Sequence, residues 1–460
     1  MTSVPSDLFD RFREHGQEHV FTGWDQLAEG EQRAFVEQLE SLDLEELQSL
    51  YQRKDEEQTS LPPRERLTPI AVESGESITR EAIGKGEDAL RRGEVAVLLV
   101  AGGQGSRLGF EKPKGMYPVG PVSGASLFQL HAEKVLALSR RYGMPLPFLV
   151  MTSPATDAET VAFFEERNYF GLDAEQVEFF QQGTMPALDL ATGRLLLEKP
   201  GSLFLGPNGH GGTLTALADS GLLAEMRARG VRHVFYFQVD NSLVNIADPA
   251  FLGRHIETES EASSKVVFKE RAEEKVGVLA LIDGKCGIVE YSDMPAEMTN
   301  EKLPNGELAF RAGNPAIHLF SVEFLAKVTS GAGRLAFHIA RKKVPFYDSE
   351  TGAAVEPTTE NALKFEMFVF DALPMATRWL AVSVRREDEF APLKNAAGSD
   401  SPETVRRLQL DKSIRWLRAA GRNMPDDAEV EISPLFALDA VEVAKKLPQD
   451  WQYSEPTTLR

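Results

Sequence analysis

Cysteine is almost missing from this chain, since its 460 residues contain only one, Cys286. A single cysteine excludes a disulfide within the chain and any zinc site that needs several cysteines. Cys286 lies in DGKCGIVEY, among residues that are typical of strands. We therefore expect it to be a small buried apolar residue and not a nucleophile.

Positive charge and long apolar runs are also scarce. The chain has 50 Lys and Arg against 70 Asp and Glu, a net charge of -20. Such a surface repels nucleic-acid phosphates and anionic lipids, and no stretch approaches the roughly 18 uninterrupted apolar residues of a membrane helix. The segment MTSVPSDLFDRFREHG lacks the apolar centre of a signal peptide. We expect a cytoplasmic protein without nucleic-acid or membrane partners, as a monomer or weak homo-oligomer.

The apolar spacing predicts three regions. Residues 1–90 carry helical patterns, with a break near Asp43 that could cap a helix. Residues 91–384 alternate short apolar runs with helical patterns, which predicts an α/β domain with a mostly parallel sheet covered on both faces. Residues 385–460, in which SDSPETVRR marks a helix start, form a predicted small C-terminal domain.

The predicted elements of the central region can be named by their sequences. The strands are VAVLLVAG, PFLVMTS, VEFFQQG, HVFYFQVDN and VGVLALID. The helices are SLFQLHAEKVLALSRRYG, with Ser126 and Gln129 at capping-box spacing, and TLTALADSGLLAEMRARG.

Two common phosphate-binding loops are absent from the sequence. The NTPase loop G-x-x-x-x-G-K-[ST] does not occur, and Gly103, Gly105 and Gly109 give G-x-G-x-x-x-G where a dinucleotide site needs G-x-G-x-x-G. The chain instead has VAVLLVAGGQGSRLGFEKPKGM, a strand followed by a glycine-rich loop with Arg107 and Lys114. Glycines at a strand's carboxyl end let backbone N–H groups approach an anion, and two cations suit a polyphosphate. The glycines alone leave a simple turn as the alternative.

The segment LLVAGGQGSRLGFEKPKGMYPVG resembles the signature of the nucleotidyltransferases that join UTP to a sugar 1-phosphate. The similarity is greatest to the eukaryotic-type UDP-N-acetylglucosamine pyrophosphorylase family. Matching segments follow in order: FFQQGTMPA, LGPNGHGG, QVDNSLV, VVFKERAEEKVGV, IVEYSD, RAGNPAIHLFS, ALKFEMFVFD, RREDEFAPLKN and EISPL. The resemblance implies a Rossmann-like, GT-A-like α/β domain with a mixed, mostly parallel sheet, a helical N-terminal region and a small C-terminal domain.

The resemblance also implies a reaction. The sugar 1-phosphate attacks the α-phosphorus of UTP in line, and pyrophosphate leaves. A phosphate monoester with a second pKa of about 6 is already mostly dianionic at neutral pH, so no general base is needed. Catalysis then requires positioning and charge neutralisation. The implied substrates are UTP and N-acetylglucosamine 1-phosphate, and the implied cofactor is Mg²⁺.

Residues for the nucleotide follow from the matching motifs. The resemblance implies catalytic roles for Arg107, Lys114 and Lys394, and nucleotide contacts for Ala101, Gly102, Gly103, Gln182, Gly209, His210 and Asp240. Asp240 would also bind Mg²⁺, which accepts one or two carboxylates with phosphate oxygens and water. Its alternative role is that of a turn residue before Asn241. His210 stands where related proteins usually carry Asn, and its ring charge would vary near pH ~6.5.

For the sugar, the resemblance implies Gly277, Glu290, Tyr291, Asn314, Lys364, Phe368 and Phe370. Glu290 would accept hydrogen bonds from sugar hydroxyls. Phe368 and Phe370 would present apolar surface to an acetamido methyl group, with core packing as the alternative.

Other functions stay open at this point. The same chemistry could use glucose 1-phosphate, galactose 1-phosphate or N-acetylgalactosamine 1-phosphate. A non-catalytic nucleotide-sugar sensor and a nicotinamide-dependent oxidoreductase are further alternatives. The pattern His15, Glu18, His19 imitates a zinc peptidase helix, but we expect it to be accidental because no third ligand motif follows. The basic cluster at 227–233 is explained by a helix end.

Overall fold

The computed structural model describes residues 3–55, 63–330 and 335–460, and these form two compact units. The smaller unit comprises the described residues of Met1–Ser60, Gly183–Gly212 and Leu335–Val369. The larger unit comprises those of Leu61–Gln182, Thr213–Arg334 and Phe370–Arg460. Each unit is thus built from three separate stretches of chain, and the division at residues 90 and 385 stays a prediction.

The helices and strands are numbered in chain order. The helices are α1 (Ser6–Glu14), α2 (Glu29–Glu40), α3 (Leu44–Gln52), α4 (Arg80–Arg91), α5 (Leu127–Tyr142), α6 (Asp157–Glu166), α7 (Gly212–Asp219), α8 (Leu222–Ala228), α9 (Pro249–Glu257), α10 (Ala296–Thr299), α11 (Val322–Thr329), α12 (Arg386–Glu389), α13 (Pro402–Ala419) and α14 (Ala440–Lys446). The strands are β1 (Leu67–Pro69), β2 (Glu73–Ser74), β3 (Val95–Val100), β4 (Phe148–Thr152), β5 (Val177–Gln181), β6 (Thr184–Pro186), β7 (Leu188–Asp189), β8 (Leu197–Lys199), β9 (Ser202–Leu203), β10 (Leu205–Pro207), β11 (His233–Gln238), β12 (Ala262–Phe268), β13 (Val278–Ile282), β14 (Lys285–Val289), β15 (Ala312–Gly313), β16 (His318–Ser321), β17 (His338–Lys342), β18 (Phe346–Asp348), β19 (Ala353–Val355), β20 (Ala362–Glu366), β21 (Trp379–Ser383), β22 (Val430–Ile432) and β23 (Thr457–Leu459).

The smaller unit packs α1, α2 and α3 onto short antiparallel strands. Phe12, Phe35 and Leu39 are buried in one apolar cluster with Leu188 and Leu363 of the strands. The strands form the sheets β17-β20-β7, β19-β18-β8-β9 and β10-β6. The predicted helix break is confirmed, because the side chain of Asp43 accepts a hydrogen bond from the backbone N–H of Glu46 and caps α3.

The larger unit is organised around a mixed sheet. Its main order is β1-β13-β15-β12-β16-β11-β3-β4-β5, with β14 on β13, β21 on β12 and β2 on β21. The run β11-β3-β4-β5 is parallel throughout. The carboxyl ends of these four strands therefore meet at one edge, where ligands bind in open α/β sheets.

The helices beside this sheet largely follow the predicted patterns. In α5, the side chain of Ser126 accepts a hydrogen bond from the backbone N–H of Gln129, as predicted. The return half of the capping box is missing, because the Gln129 amide donates to Glu133 instead. The segment TLTALADSGLLAEMRARG forms two helices, α7 and α8, and not the single predicted one. The break lies at Gly221, whose φ of +82° leaves the helical region and suits glycine.

Residues 385–460 belong to the larger unit and add the long helix α13 and the parallel pair β22-β23. Ile414 and Leu417 of α13 are buried with Val430 and Val443. Cys286 is buried in β14, as predicted, and burial raises the pKa of its thiol to about 12. Such a thiol is almost entirely protonated at neutral pH and is a poor nucleophile.

Candidate active site

The glycine-rich loop follows β3 directly and folds back on itself. The backbone N–H of Lys114 donates to the carbonyl of Gly103 at 3.0 Å, and that of Gly105 donates to the carbonyl of Lys112 at 2.9 Å. These two bonds place Lys114 beside the start of the loop. Arg107 is exposed in the same loop. The predicted triphosphate cations therefore flank one loop at the sheet edge.

Gly102 lies against the predicted uracil-binding amide. A Cβ atom on Gly102 would lie 2.7 Å from Nε2 of Gln182 and 3.4 Å from Cβ of Ser153. Gln182 follows β5, and its backbone N–H donates to the carbonyl of Thr152 at the end of β4. The backbone bond places Gln182 beside the loop, and its side-chain amide occupies the space that a side chain at residue 102 would need.

The neighbours of Gly102 in the loop differ in exposure. Ala101 is buried and its backbone N–H donates to the carbonyl of Met151, which continues the β3-β4 pairing. A Cβ atom on Gly103 would meet nothing within 4 Å. The loop therefore passes from the sheet into open space over two residues, as a nucleotide-binding backbone requires.

Lys114 and Asp240 meet across the sheet edge. Nζ of Lys114 lies 3.5 Å from Oδ2 of Asp240, and their side chains are 21% and 13% exposed. Asp240 follows β11, the parallel neighbour of β3, so the two residues come from adjacent strand ends. A partly buried cation and carboxylate at this distance can neutralise a triphosphate and hold a cation, respectively.

Lys394 is brought to the same place by the backbone. The N–H of Leu393 donates to the carbonyl of Asp240 at 2.9 Å, and the N–H of Lys394 donates to the carbonyl of Asp400 at 2.8 Å. Burial raises the pKa of the Asp400 carboxyl, the Lys394 ammonium lowers it, and the Asp240 carboxylate raises it further. Two of the predicted catalytic cations thus lie in one charged group with two carboxylates.

Three of the predicted sugar residues are also neighbours. The backbone N–H of Asn314 donates to the carbonyl of Gly277 at 2.8 Å, and a Cβ atom on Gly277 would lie 2.9 Å from Oε1 of Glu290. Burial and then the charge of Asp293 raise the pKa of Glu290, while Lys394 lowers it. The charge of Lys394 thus acts on the carboxyl groups of both Glu290 and Asp400.

The side chains of Asn314, Tyr291 and Phe370 have different surroundings. Oδ1 of Asn314 accepts a hydrogen bond from the backbone N–H of Ala316 at 3.0 Å, so part of its amide supports a turn. Tyr291 is 48% exposed. Phe370 is half-buried in the larger unit.

The remaining predicted residues lie in the smaller unit. The backbone N–H of Val369 donates to Nδ1 of His210 at 3.3 Å, and the rings of His210 and Phe368 are 5.4 Å apart. Gly209 lies against the backbone of Met367, and Lys364 reaches Gly206. The structure thus gathers Gly209, His210, Lys364 and Phe368 within one unit. The other predicted residues lie in the other unit.

The structure adds residues that the sequence analysis missed. Oγ of Ser153 donates to the carbonyl of Gly102 at 2.9 Å, and Asp400 faces Lys394 as described. In the smaller unit, the ring of His338 lies 4.6 Å from that of Phe368. Only Ser153 had a signal, because S-P-A-T follows an apolar strand run at its carboxyl end. Asp400 and His338 stand in no motif.

In the motif His15, Glu18, His19, which resembles a zinc peptidase helix, the histidine rings bond to backbone carbonyls. Nε2 of His19 donates to the carbonyl of Leu195, 2.8 Å away, and burial lowers the pKa of the His19 ring. Across residues 3–55, 63–330 and 335–460, the structure contains no group of three His, Cys, Asp or Glu side chains that could hold a metal ion. A cation at Asp240 would therefore take most of its ligands from phosphate and water, as Mg²⁺ does.

This geometry can be compared with known proteins. The sequence model of the family described as UTP--glucose-1-phosphate uridylyltransferase matches residues 44–445. The chain belongs to this family. The predicted family resemblance, the mixed α/β fold and the assignment as a uridylyltransferase are therefore confirmed.

Individual members of the family are similar over nearly the whole chain. UDP-N-acetylhexosamine pyrophosphorylase-like protein 1 of Xenopus tropicalis is 41% identical over 438 residues, which is 91% of this chain and 85% of the relative. UDP-N-acetylglucosamine pyrophosphorylase of Saccharomyces cerevisiae is 37% identical over 451 residues, 93% and 94% of the two chains. The crystal structure of the uridine diphosphate N-acetylglucosamine pyrophosphorylase from Trypanosoma brucei, in complex with inhibitor, superposes with a TM-score of 0.83 at 30% identity, covering 98% and 96%.

Two further points follow for this member of the uridylyltransferase family. Membership gives no support to the oxidoreductase alternative. Within the part of the chain that the structure describes, no helix is long and apolar enough to cross a bilayer. The roles of the individual site residues stay predictions.

Proposed function

We propose that this uridylyltransferase joins UTP and N-acetylglucosamine 1-phosphate to give UDP-N-acetylglucosamine and pyrophosphate, with Mg²⁺, in the cytoplasm. The observation that carries the proposal is the 3.5 Å approach of Lys114 to Asp240 beside the glycine-rich loop. The names of the yeast and trypanosome relatives support the choice of sugar.

The chain's own residues would act by holding and neutralising. The backbone of Ala101, Gly102 and Gly103, with Gln182, would fix the uridine. Arg107 and Lys114 would bind the triphosphate and stabilise the leaving pyrophosphate through charge-assisted hydrogen bonds. Asp240 would hold Mg²⁺, which supplies Lewis-acid stabilisation of phosphate charge when bound.

The sugar phosphate would be placed by a second group of residues. Glu290 and Asn314 would orient the sugar ring. Lys394, whose charge lowers the pKa of both Glu290 and Asp400, would neutralise the attacking phosphate. Lys364 and Phe368, which lie in the smaller unit, keep the sugar roles that the resemblance implies. No general base is needed, since the attacking phosphate is already ionised.

The test is pyrophosphate release from UTP and Mg²⁺ with a panel of sugar 1-phosphates. We expect release with N-acetylglucosamine 1-phosphate and little with glucose or galactose 1-phosphate. Release with N-acetylgalactosamine 1-phosphate as well would fit the acetylhexosamine in the name of the Xenopus relative. Preference for glucose 1-phosphate would overturn the sugar assignment, and UTP binding without any release would favour a sensor.

A further inference from the structure

One face of α13 carries three hydrogen-bond donors that reach other segments. Arg406, Gln409 and Lys412 are spaced three residues apart and so lie along one side of the helix. Arg406 donates to the carbonyl of Pro118 at 2.8 Å, and Gln409 donates to that of Val119 at 3.1 Å. One helix face therefore holds two consecutive carbonyls of a single loop.

Lys412 extends this face to a second segment. Its ammonium donates to the carbonyl of Leu243 at 3.3 Å and to that of Asp388 at 2.7 Å. Lys134 of α5 holds the same segment, with bonds to the carbonyls of Ser242 and Val244 at 2.6 and 2.9 Å. The segment 242–244 is thus held by the side chains of two lysines.

The two segments that α13 binds follow Lys114 and Asp240 of the candidate active site closely in the chain. Pro118 and Val119 come four and five residues after Lys114, and Leu243 comes three residues after Asp240. Both segments are therefore attached to one rigid element within a short chain distance of the residues that must face each other. A displacement of either segment would change the separation of Lys114 and Asp240.

A carboxylate from the same C-terminal region supports the first segment. Glu431 is buried and accepts hydrogen bonds from the backbone N–H groups of Val122 and Ser123 at 2.9 and 2.7 Å. A buried carboxylate without such partners would be costly, so this contact holds the loop firmly against β22.

Apolar packing does not explain the contacts of Lys412. A cavity lies between α5, α13 and the segment 242–246, with Leu130, Ile246 and Trp416 among its lining residues. Desolvation also lowers the pKa of Lys412, to about 8. An apolar side chain would avoid this cost, and a helix that only needed to cover the cavity would not require an ammonium group.

We propose that Gln409 and Lys412 of α13, supported by Arg406, are positioning residues that set the separation of Lys114 and Asp240. This inference rests on the proposed function only in assigning Lys114 and Asp240 to the nucleotide and Mg²⁺. The C-terminal region would then act as a brace for the active site, without touching substrate.

The test compares three variants of the full chain. Lys412→Met and Gln409→Met remove a donor to an active-site segment. Arg418→Met is the matched control, because Arg418 also lies on α13 but donates to the carbonyl of Met424 at 3.2 Å and pairs with Asp426, inside the C-terminal region. Each variant is assayed for kcat, KM for both substrates, the half-saturating Mg²⁺ concentration and thermal unfolding.

We expect Lys412→Met and Gln409→Met to lower kcat by about 10- to 100-fold, since small misplacements of catalytic groups have effects of this size. The half-saturating Mg²⁺ concentration should rise about 10-fold, as for lost supports of a metal ligand. Arg418→Met should keep both values within about twofold at a comparable loss of thermal stability. If all three variants behave alike at equal stability loss, α13 is only structural and the inference is wrong.

A binding measurement separates this inference from the proposed function. UTP binding is measured by calorimetry with and without Mg²⁺, which requires no turnover. The inference predicts that Lys412→Met and Gln409→Met weaken binding about 10-fold with Mg²⁺ and much less without it. An equal effect under both conditions, or none, contradicts it. Absence of pyrophosphate release in the wild-type protein would instead refute the proposed function. If Lys412→Met does not fold, Gln409→Met alone decides.

Discussion

Replacing Gly102 with alanine tests how the loop presents the nucleotide site. The new Cβ atom would lie 2.7 Å from Nε2 of Gln182, closer than side chains tolerate, but 3.4 Å from Ser153, an ordinary contact. The φ of Gly102 is not positive, so alanine causes no backbone strain. The atom that must move is the end of a flexible side chain, and we expect the amide of Gln182 to swing away.

The size of the effect follows from what is displaced. Folding stability should change by less than about 1 kcal/mol, because the clash is relieved by one rotation and alanine restricts the unfolded chain. A displaced amide would lose a donor and an acceptor to the uracil edge, each worth about 0.5–1.5 kcal/mol. The sum of about 1–3 kcal/mol corresponds to a 5- to 150-fold weaker UTP affinity.

The assay is a double-mutant cycle with Gln182→Ala. KM for UTP and the affinity for UTP are measured for Gly102→Ala, Gln182→Ala and the double variant, with urea unfolding as the control. If the alanine acts through Gln182, the double variant is no worse than Gln182→Ala alone. Additive losses, or a UTP affinity of Gly102→Ala within about twofold of wild type, would refute the reasoning.

Four further predictions concern other parts of the larger unit. Lys114→Met should lower kcat/KM for UTP about 10- to 150-fold, because a charge-assisted contact of about 1.5–3 kcal/mol is lost. Asp240→Asn should raise the Mg²⁺ concentration that the reaction requires. A Mg²⁺ dependence of Asp240→Asn equal to that of the wild type would refute the metal role. Asn314→Ala should raise KM for the sugar phosphate about threefold or more, and an unchanged KM would remove Asn314 from the sugar site. Burial lowers the pKa of His255 from 6.5 to about 3, so the unfolded chain binds a proton that the folded chain refuses. The contribution of the neutral His255 ring to the free energy of unfolding is therefore present above pH ~6.5. It decreases as the pH falls, by about 2 kcal/mol at pH 5. Between pH 7 and pH 5, the free energy of urea unfolding should fall by about 2 kcal/mol less in His255→Gln than in the wild type. Equal decreases in the two proteins would contradict the burial argument.

Several elements could be predicted because their signals are short in sequence. Asp43 and Ser126 precede apolar periodic runs and cap α3 and α5. The strand VAVLLV and its glycine loop lie within about 20 residues, so spacing alone places them together. The single helix predicted across Gly221 was wrong, since the apolar pattern continued through a residue whose backbone leaves the helix.

The site could be predicted only in part. Arg107, Lys114 and Gln182 stood in motifs, whereas Asp400 and His338 stood in none and were missed. The contact of His338 with Phe368 depends on the pairing of β17 with β20, and that of Asp400 with Lys394 depends on a loop conformation. Sequence spacing has no information about such contacts.

The sequence by itself determined the class of chemistry. Its alternation of apolar runs and helical patterns predicts an α/β domain, and the motif with Arg107 and Lys114 resembles that of nucleotidyltransferases that use UTP, because these signals lie in local spacing. Only the tertiary structure decided that Lys114 meets Asp240, 126 residues away, and that Arg406 holds Pro118 across 288 residues. Such contacts form where parallel strand ends and a C-terminal helix converge, and convergence is a property of packing, which no local pattern encodes.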